Sequence, residues 1–112
     1  LRRLSFMDRR LVRIKRMVAA GRYQFTLKAD QECAGCGLTR DDVVESILNA
    51  QFLRVKNSTS LWRRAERERV YIIDSFNFEG VAVYSKGVIR RVTEHESDFY
   101  ILISGKRSTA SD

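Results

Sequence analysis

The sequence predicts a single α+β domain in which N-terminal helices pack on one face of a four-stranded, mainly antiparallel sheet. The first part of the chain places apolar residues at helical spacing, whereas the second part contains short apolar runs that alternate like strands. The length of 112 residues suits one domain with one core. Helices followed by a meander of strands are typical of the α+β class.

The first predicted helix follows from an apolar stripe set among basic residues, which comprises Leu11, Ile14, Met17 and Val18. Asp8 suits the N-cap, and Gly21 suits the C-cap because glycine adopts left-handed backbone conformations without strain. Upstream, Leu1–Phe6 would be an extension if the natural chain starts at Met7. Downstream, Tyr23–Phe25 is predicted to be a short extended link.

Two shorter helices are predicted next, and each has a threonine at its N-cap. Thr26 begins the second helix, which runs to about Cys36. Thr39 with Asp42 resembles a capping box and begins the third helix, which runs to about Ala50. The buried stripe of the third helix is predicted to be Val43, Val44, Ile47 and Leu48.

The remainder of the chain predicts four strands: Phe52–Lys56, Val70–Phe76, Val81–Val92 and Phe99–Ser104. A polar connection, Asn57–Arg67, joins the first two strands and carries the only tryptophan. Asn77–Gly80 and Glu94–Ser97 are predicted turns, and Gly87 is a predicted bulge because the alternation slips there. The last strand is apolar on both faces, which predicts a central position. The small polar tail 108–112 is predicted to fray.

The net charge of +7 favours a polyanionic partner, either nucleic acid or an acidic protein. The alternative is a basic surface without a function. No apolar run approaches the roughly 20 residues that a membrane-spanning helix needs, and no signal peptide is visible. Two cysteines are too few for a disulfide framework, so the sequence predicts a cytoplasmic protein.

The two cysteines, Cys33 and Cys36, have the spacing of a zinc knuckle but lack the remaining ligands. A structural zinc site takes four ligands, and the other strong candidate is His95 in a distant turn. A thioredoxin-like motif is a poor match because no strand precedes the pair. We therefore predict two small, half-buried residues on a helix, with no metal and no cofactor.

Metal-free RNA cleavage requires removal of the proton from the 2′-hydroxyl, stabilisation of charge on phosphorus, and protonation of the leaving oxygen. A design with two histidines is excluded because the chain has one histidine. No paired-aspartate motif indicates a two-metal nuclease. The chemistry that remains belongs to lysine, arginine and tyrosine side chains on the predicted strands.

The candidate site residues are basic or aromatic and lie on or beside the predicted strands: Arg54, Lys56, Trp62, Arg63, Arg64, Tyr84, Lys86, Lys106 and Arg107. Tyr84 and Lys86 are two residues apart, so both face the same side of one strand. Trp62 could stack an unpaired base, and the cations could hold phosphate. Each residue also has an ordinary alternative, as a half-buried strand aromatic, a solvated charge or a core residue.

Several short motifs resemble one family in their order and spacing: Leu11–Gly21 with its terminal Ala-Gly, Thr26–Leu38, Phe52-Leu53-Arg54, Trp62-Arg63, Val83-Tyr84-Ser85-Lys86 and Ile103-Ser104-Gly105-Lys106. This pattern is similar to that of the MqsR-type mRNA interferase toxins and the related DUF4258 proteins, which share the RelE-like toxin fold. The resemblance covers most of the chain, and it implies a RelE-like fold.

The resemblance implies an endoribonuclease with defined site residues. Lys106 and Arg63 would stabilise the transition-state phosphate, and Tyr84 or Lys86 would take part in proton transfer. Arg54 and Arg63 stand where the family has lysine and glutamine, and Lys56 is the alternative for the lysine.

The family also implies partners. Its members act on mRNA and are held inactive by a cognate antitoxin protein, often one with a zinc-finger domain. Arg54 and Lys56 would hold the RNA backbone. Two alternatives remain open: a non-catalytic RNA-binding module, and a domain that binds only its antitoxin. A homodimer is also open.

Overall fold

A computed structural model describes residues 8–57, 68–93 and 97–108 of the chain. The described residues form three helices, which are α1 (Arg9–Ala19), α2 (Leu27–Gly35) and α3 (Arg40–Asn49). They also form five strands, which are β1 (Tyr23–Phe25), β2 (Arg54–Asn57), β3 (Arg69–Phe76), β4 (Ala82–Val92) and β5 (Ser97–Arg107). The α+β class is confirmed.

The five strands make one mixed sheet in the order β1-β5-β4-β3-β2. The prediction of four antiparallel strands is wrong in one respect, because Tyr23–Phe25 is an edge strand rather than a link. This segment pairs in parallel with Tyr100–Leu102, while every other pairing is antiparallel. A three-residue strand is too short to show an alternating pattern, and its partner lies far away in the sequence.

Three strand boundaries differ from the prediction by two or more residues. Strand β2 begins at Arg54, two residues after the predicted Phe52, which is 78% exposed. Strand β5 is longer at both ends than predicted, so Ser97 is part of a strand and Lys106 and Arg107 are strand residues. The irregularity predicted at Gly87 is present, but its extra residue lies on β5 rather than on β4. Lys86 pairs with Ser104 and Gly87 with Leu102, which leaves Ile103 of β5 as the extra residue. Residues 58–67 and 94–96 of the predicted connections lie outside the described residues.

The predicted N-caps are confirmed, whereas the C-cap of α1 is Ala20, one residue before the predicted Gly21, which has the left-handed backbone conformation. The side chains of Asp8 and Thr26 accept hydrogen bonds from the backbone N–H groups of Arg10 and Ala29 at the starts of α1 and α2. Thr39 and Asp42 form both hydrogen bonds of a capping box at the start of α3. Each bond satisfies a backbone donor that a helix leaves unpaired at its first turn.

The helices cover one face of the sheet. Their buried side chains pack with strand residues of that face in one core that includes Tyr71, Ile73, Val83, Tyr100 and Leu102. A second apolar cluster contains only strand residues, which are Val70, Ile72, Val88, Phe99 and Ile101. We call the sheet face that carries this second cluster the far face. The predicted division of β5 into two apolar faces is confirmed.

The hairpin between β3 and β4 is fixed by the side chain of Asn77, which is buried. Its Oδ1 atom accepts hydrogen bonds from the backbone N–H groups of Glu79 and Val81 at 2.9 and 2.8 Å. Its Nδ2 atom donates to Oδ1 of Asp42 at 3.0 Å. One side chain therefore shapes the turn and ties it to the capping box of α3, which fixes the position of β4 against the helices.

The two cysteines have unequal environments. Cys33 is buried in α2, and its thiol donates to the backbone carbonyl of Gly105 at 3.3 Å. Burial raises the pKa of Cys33 to about 11. Cys36 follows the helix and is partly exposed. The described residues hold no cluster of three or more His, Cys, Asp or Glu side chains that could bind a metal, and His95 lies outside them.

We expect Cys36 to react with iodoacetamide at mildly alkaline pH much faster than Cys33 in the folded protein. A raised pKa leaves little thiolate on Cys33, and the thiolate is the nucleophile. Mass spectrometry of the alkylated peptides measures the two rates, and a sample unfolded in guanidinium is the control in which both cysteines should react. Equal rates in the folded protein would contradict this account of Cys33.

Candidate active site

Tyr84 on β4 and Lys106 on β5 are direct partners in the antiparallel register. The Nζ atom of Lys106 lies over the Tyr84 ring, 5.4 Å from its centroid. This distance is within the range of a cation–π interaction. Tyr84 and Lys106, which belong to two of the toxin-like motifs, therefore lie side by side on one face of the sheet.

Lys86 joins this pair from the same strand. It lies two residues after Tyr84 and opposite Ser104 of β5, and the bulge begins only after it. The alternation of side chains is therefore intact between Tyr84 and Lys86, which places both on the far face. Tyr84 packs against the second apolar cluster, which is consistent with that placement.

The environment of Lys86 lowers the pKa of its side chain. The pKa of Lys86 is lowered mainly by burial and further by the positive charges of Lys56, Lys28 and Lys106. The carboxylate of Glu32 acts in the opposite direction. Three strands and one helix thus bring four lysines and one carboxylate to the same region. The charges of the three other lysines and of the carboxylate act in opposite directions on the pKa of Lys86.

Glu32 of α2 is held at the edge of this region by two hydrogen bonds. It accepts one from the hydroxyl of Ser104 at 2.5 Å and one from the backbone N–H of Gly105 at 3.1 Å. The bond from Ser104 is the largest cause of the lowered pKa of Glu32, and the charges of Lys28 and Lys106 contribute less. Glu32 is therefore an ionised group facing the lysines.

The sequence prediction missed Lys28, Glu32 and Ser104. Lys28 and Glu32 are four residues apart, which puts them on the same side of a helix. That spacing was visible in the sequence. Which strand α2 packs against was not, because it depends on contacts between residues far apart in the chain.

Arg54 and Lys56 flank the site from β2. The guanidinium of Arg54 is 2.9 Å from a carboxylate oxygen of Asp74, and Asp74 lies opposite Tyr84 in the register. Arg54 therefore lies beside the site and forms an ion pair there with Asp74. Lys56 is exposed, and its charge acts on Lys86. The prediction that both residues belong to one basic surface agrees with these positions.

Arg107 does not share the surface of Lys106. Neighbouring strand residues face opposite sides, and the Nε atom of Arg107 donates to the backbone carbonyl of Cys36 at 2.9 Å. Its grouping with the other cations was therefore wrong. Trp62, Arg63 and Arg64 lie outside the described residues, so their placement stays a prediction.

Beside the site, two exposed phenylalanines line a small cleft. Phe52 is 78% exposed and Phe76 is 56% exposed. The cleft has a volume of about 350 Å³ and is lined by Asn49, Gln51, Phe52, Asp74, Ser75 and Phe76. Asp74 lines the cleft and also lies opposite Tyr84, which in turn pairs with Lys106. The cleft thus combines flat apolar rings with amide and carboxylate groups next to the cationic region.

Comparisons with protein-family models, with curated protein sequences and with solved structures find no significant match to this chain. The resemblance to the MqsR-type toxins therefore stays a prediction. The geometry alone describes a patch in which a phenol, an ionised carboxylate and several amines lie together. Such a patch can bind a phosphate group through charge and can exchange protons through Lys86 and Tyr84.

Proposed function

We propose that this protein is a metal-independent endoribonuclease that cleaves single-stranded RNA by attack of the 2′-hydroxyl on the adjacent phosphate. The observation that carries the proposal is the contact of Lys106 with the Tyr84 ring, with Lys86 on the same face. The resemblance to MqsR-type mRNA interferases supports the same activity, a RelE-like fold and a role as the toxin of a toxin–antitoxin system.

In the proposed reaction, the neutral amine of Lys86 takes the proton of the 2′-hydroxyl as the oxygen bonds to phosphorus. The ammonium of Lys106 stabilises the negative charge that develops on the phosphate oxygens. The bond from phosphorus to the 5′-oxygen then breaks, and the phenol of Tyr84 gives that oxygen a proton. The products are a 2′,3′-cyclic phosphate and a free 5′-hydroxyl. By resemblance, Arg63 adds to the stabilisation of the phosphate.

The surroundings of this centre suit an unpaired nucleotide. Lys56 and Lys28 supply positive charge for the phosphates on either side of the cleaved bond. Phe52 and Phe76 supply exposed rings against which a base can stack, which is how proteins commonly hold single-stranded RNA. We therefore infer a preference for single-stranded over duplex RNA.

The proposed setting is the cytoplasm, where mRNA is the substrate and a cognate antitoxin, which in this family often carries a zinc-finger domain, blocks the activity. None of the described helices is long and apolar enough to cross a membrane. The net charge of +7 is compatible with RNA and with an acidic protein as partners.

The test is to incubate the purified protein with single-stranded RNA in EDTA. The proposal expects cleavage that persists in the chelator, and it expects growth arrest when the protein is expressed in a bacterium. The competing function is RNA binding without catalysis. It predicts RNA that stays whole while affinity falls steeply with salt, because bound cations release counterions from the phosphates.

The proposed role of Lys86 predicts the pH dependence of cleavage. Below the pKa of Lys86, the rate should rise about tenfold per pH unit as the neutral amine becomes more populated, and it should level off above that pKa. Lys56→Met removes a positive charge, which raises the pKa of Lys86 and moves the rising limb to higher pH. Glu32→Gln removes a negative charge and should move the limb to lower pH.

The position of the limb, rather than the height of the plateau, is the measured quantity in these two variants, because Lys56 also contacts substrate in the proposal. The arginine of the Lys86→Arg variant carries a permanent positive charge, so the plot of its cleavage rate against pH should lack the rising limb. Limbs that coincide in the wild-type protein, Lys56→Met and Glu32→Gln would contradict the role of Lys86 as the base.

A further inference from the structure

A second basic site lies along α1 and the turn that follows it, on the helical side of the sheet. A cleft of about 440 Å³ is lined there by four arginines and two apolar residues, which are Arg9, Arg13, Arg16, Arg22, Val12 and Met17. We call it the arginine cleft. The cleft lies near the start of β5, where Arg13 forms an ion pair with Asp98. Lys106 lies eight positions after Asp98 along β5, which places the cleft roughly 25 Å from the candidate active site.

The arginine cleft has an excess of positive charge. Arg13 is neutralised by Asp98, whereas Arg9, Arg16 and Arg22 have no acidic partner within the described part of the chain. The Nε atom of Arg22 is buried and makes no hydrogen bond. A buried donor without an acceptor is costly, and native proteins rarely leave one unpaired. The arginine cleft therefore offers an unsatisfied donor and excess positive charge to an anionic ligand.

The lining of the arginine cleft indicates which anion it would take. Guanidinium groups bind carboxylates and phosphates equally well as bidentate forks. Among the described residues, no aromatic side chain lines the cleft, so these residues offer an unpaired base no ring on which to stack. Val12 and Met17, with the aliphatic stems of the arginines, form an apolar floor instead. Carboxylates with an apolar side chain between them match this combination.

We propose that the arginine cleft binds an acidic peptide segment of a partner protein. Two or more carboxylates of the segment engage Arg9, Arg16 and Arg22, and one apolar side chain lies against Val12 and Met17. Arginine anchors in partly desolvated clefts are common centres of binding energy. The inference is independent of the proposed RNA cleavage, because the two sites lie on different faces of the sheet and share no residue.

The probe for this proposal is a phage-displayed library of random dodecapeptides selected on the immobilised full-length protein. The proposal expects enriched peptides that carry at least two carboxylates and an apolar residue. Fluorescence polarisation then measures the affinity of the most enriched peptide. Arg16→Glu and Arg22→Gln should each weaken binding about tenfold or more. Because Arg16 is exposed on the helix surface, its variant should keep the fold, which circular dichroism checks.

Lys106→Glu is the matched control, since it reverses a positive charge at the other site, as Arg16→Glu does in the cleft, and should leave peptide affinity within about twofold of wild type. RNA cleavage by Arg16→Glu should be unchanged. The proposal is overturned if selection enriches no acidic peptides, or if Lys106→Glu weakens the peptide as much as Arg16→Glu does. It is also overturned if Arg16→Glu weakens binding of a single-stranded RNA about tenfold, which would make the arginine cleft a nucleic-acid site.

Discussion

Lys106→Ala and Tyr84→Phe should each reduce the rate constant of RNA cleavage about 10²- to 10³-fold, which is the usual cost of losing an electrostatic or acid–base group from an active site. Lys106→Ala removes the ammonium that lies 5.4 Å from the Tyr84 ring centroid and would face the phosphate. Tyr84→Phe keeps the ring and its packing but removes the phenol that donates a proton. Single-turnover cleavage of a labelled single-stranded RNA measures both losses.

The matched control is Arg91→Ala. Arg91 is an exposed cation on the same strand as Tyr84, and it lies at the other end of that strand. Its loss lowers the net charge as much as Lys106→Ala does, so a general loss of electrostatic attraction would appear in both variants. Undiminished cleavage by Lys106→Ala and Tyr84→Phe, with wild-type melting temperatures, would refute the site.

Gly87→Ala should destabilise the fold strongly. A Cβ atom at residue 87 would lie 2.3 Å from Cζ of Tyr100 and 2.6 Å from its hydroxyl. Tyr100 is completely buried in the core under the helices, so its ring has little room to move. Overpacking of a core costs about 1–3 kcal/mol, and at this separation we expect at least about 2 kcal/mol. For a domain of this size that is a fall in melting temperature of roughly 10 °C.

Gly35→Ala is the control for this effect. Gly35 is the last residue of α2, and a Cβ atom there would meet nothing within 4 Å. Alanine in an unstrained helical position loses less backbone entropy on folding than glycine, so Gly35→Ala should be neutral or stabilising by up to about 1 kcal/mol. Thermal unfolding followed by circular dichroism compares the variants. Equal melting temperatures for Gly87→Ala and wild type would contradict the close packing of Tyr100.

The helices could be predicted from the sequence because their signals are local. Asp8, Thr26 and Thr39 each lie within three residues of the N–H groups that they cap, so one short segment contains the whole interaction. The position of the bulge beside Gly87 was predicted correctly, but its extra residue belongs to β5, which shows only in the pairing of the two strands. The two faces of β5 could also be predicted from alternation along a single strand. Strand β1 could not, because its hydrogen bonds go to β5, which lies far along the chain.

The same difference between local signals and long-range contacts explains which residues of the site could be predicted. Tyr84 and Lys106 could be placed together because β4 and β5 are joined directly, and a hairpin connection fixes which residues face each other. Glu32 could not be predicted as a site residue because its hydrogen bonds to Ser104 and Gly105 depend on how a helix packs against a strand. Arg107 was misplaced because β5 was predicted to end too early. In a continuing strand, Arg107 and Lys106 must face opposite sides.

The central claim is that RNA is cleaved through its own 2′-hydroxyl at the patch formed by Tyr84, Lys86 and Lys106. The most direct measurement uses a single-stranded RNA and the same oligonucleotide with deoxyribose at the cleaved position, both incubated with the protein in EDTA. The account predicts that the RNA yields 2′,3′-cyclic phosphate and 5′-hydroxyl ends, and that the substituted oligonucleotide stays whole at that position. Cleavage of both substrates, or 5′-phosphate ends, would contradict it.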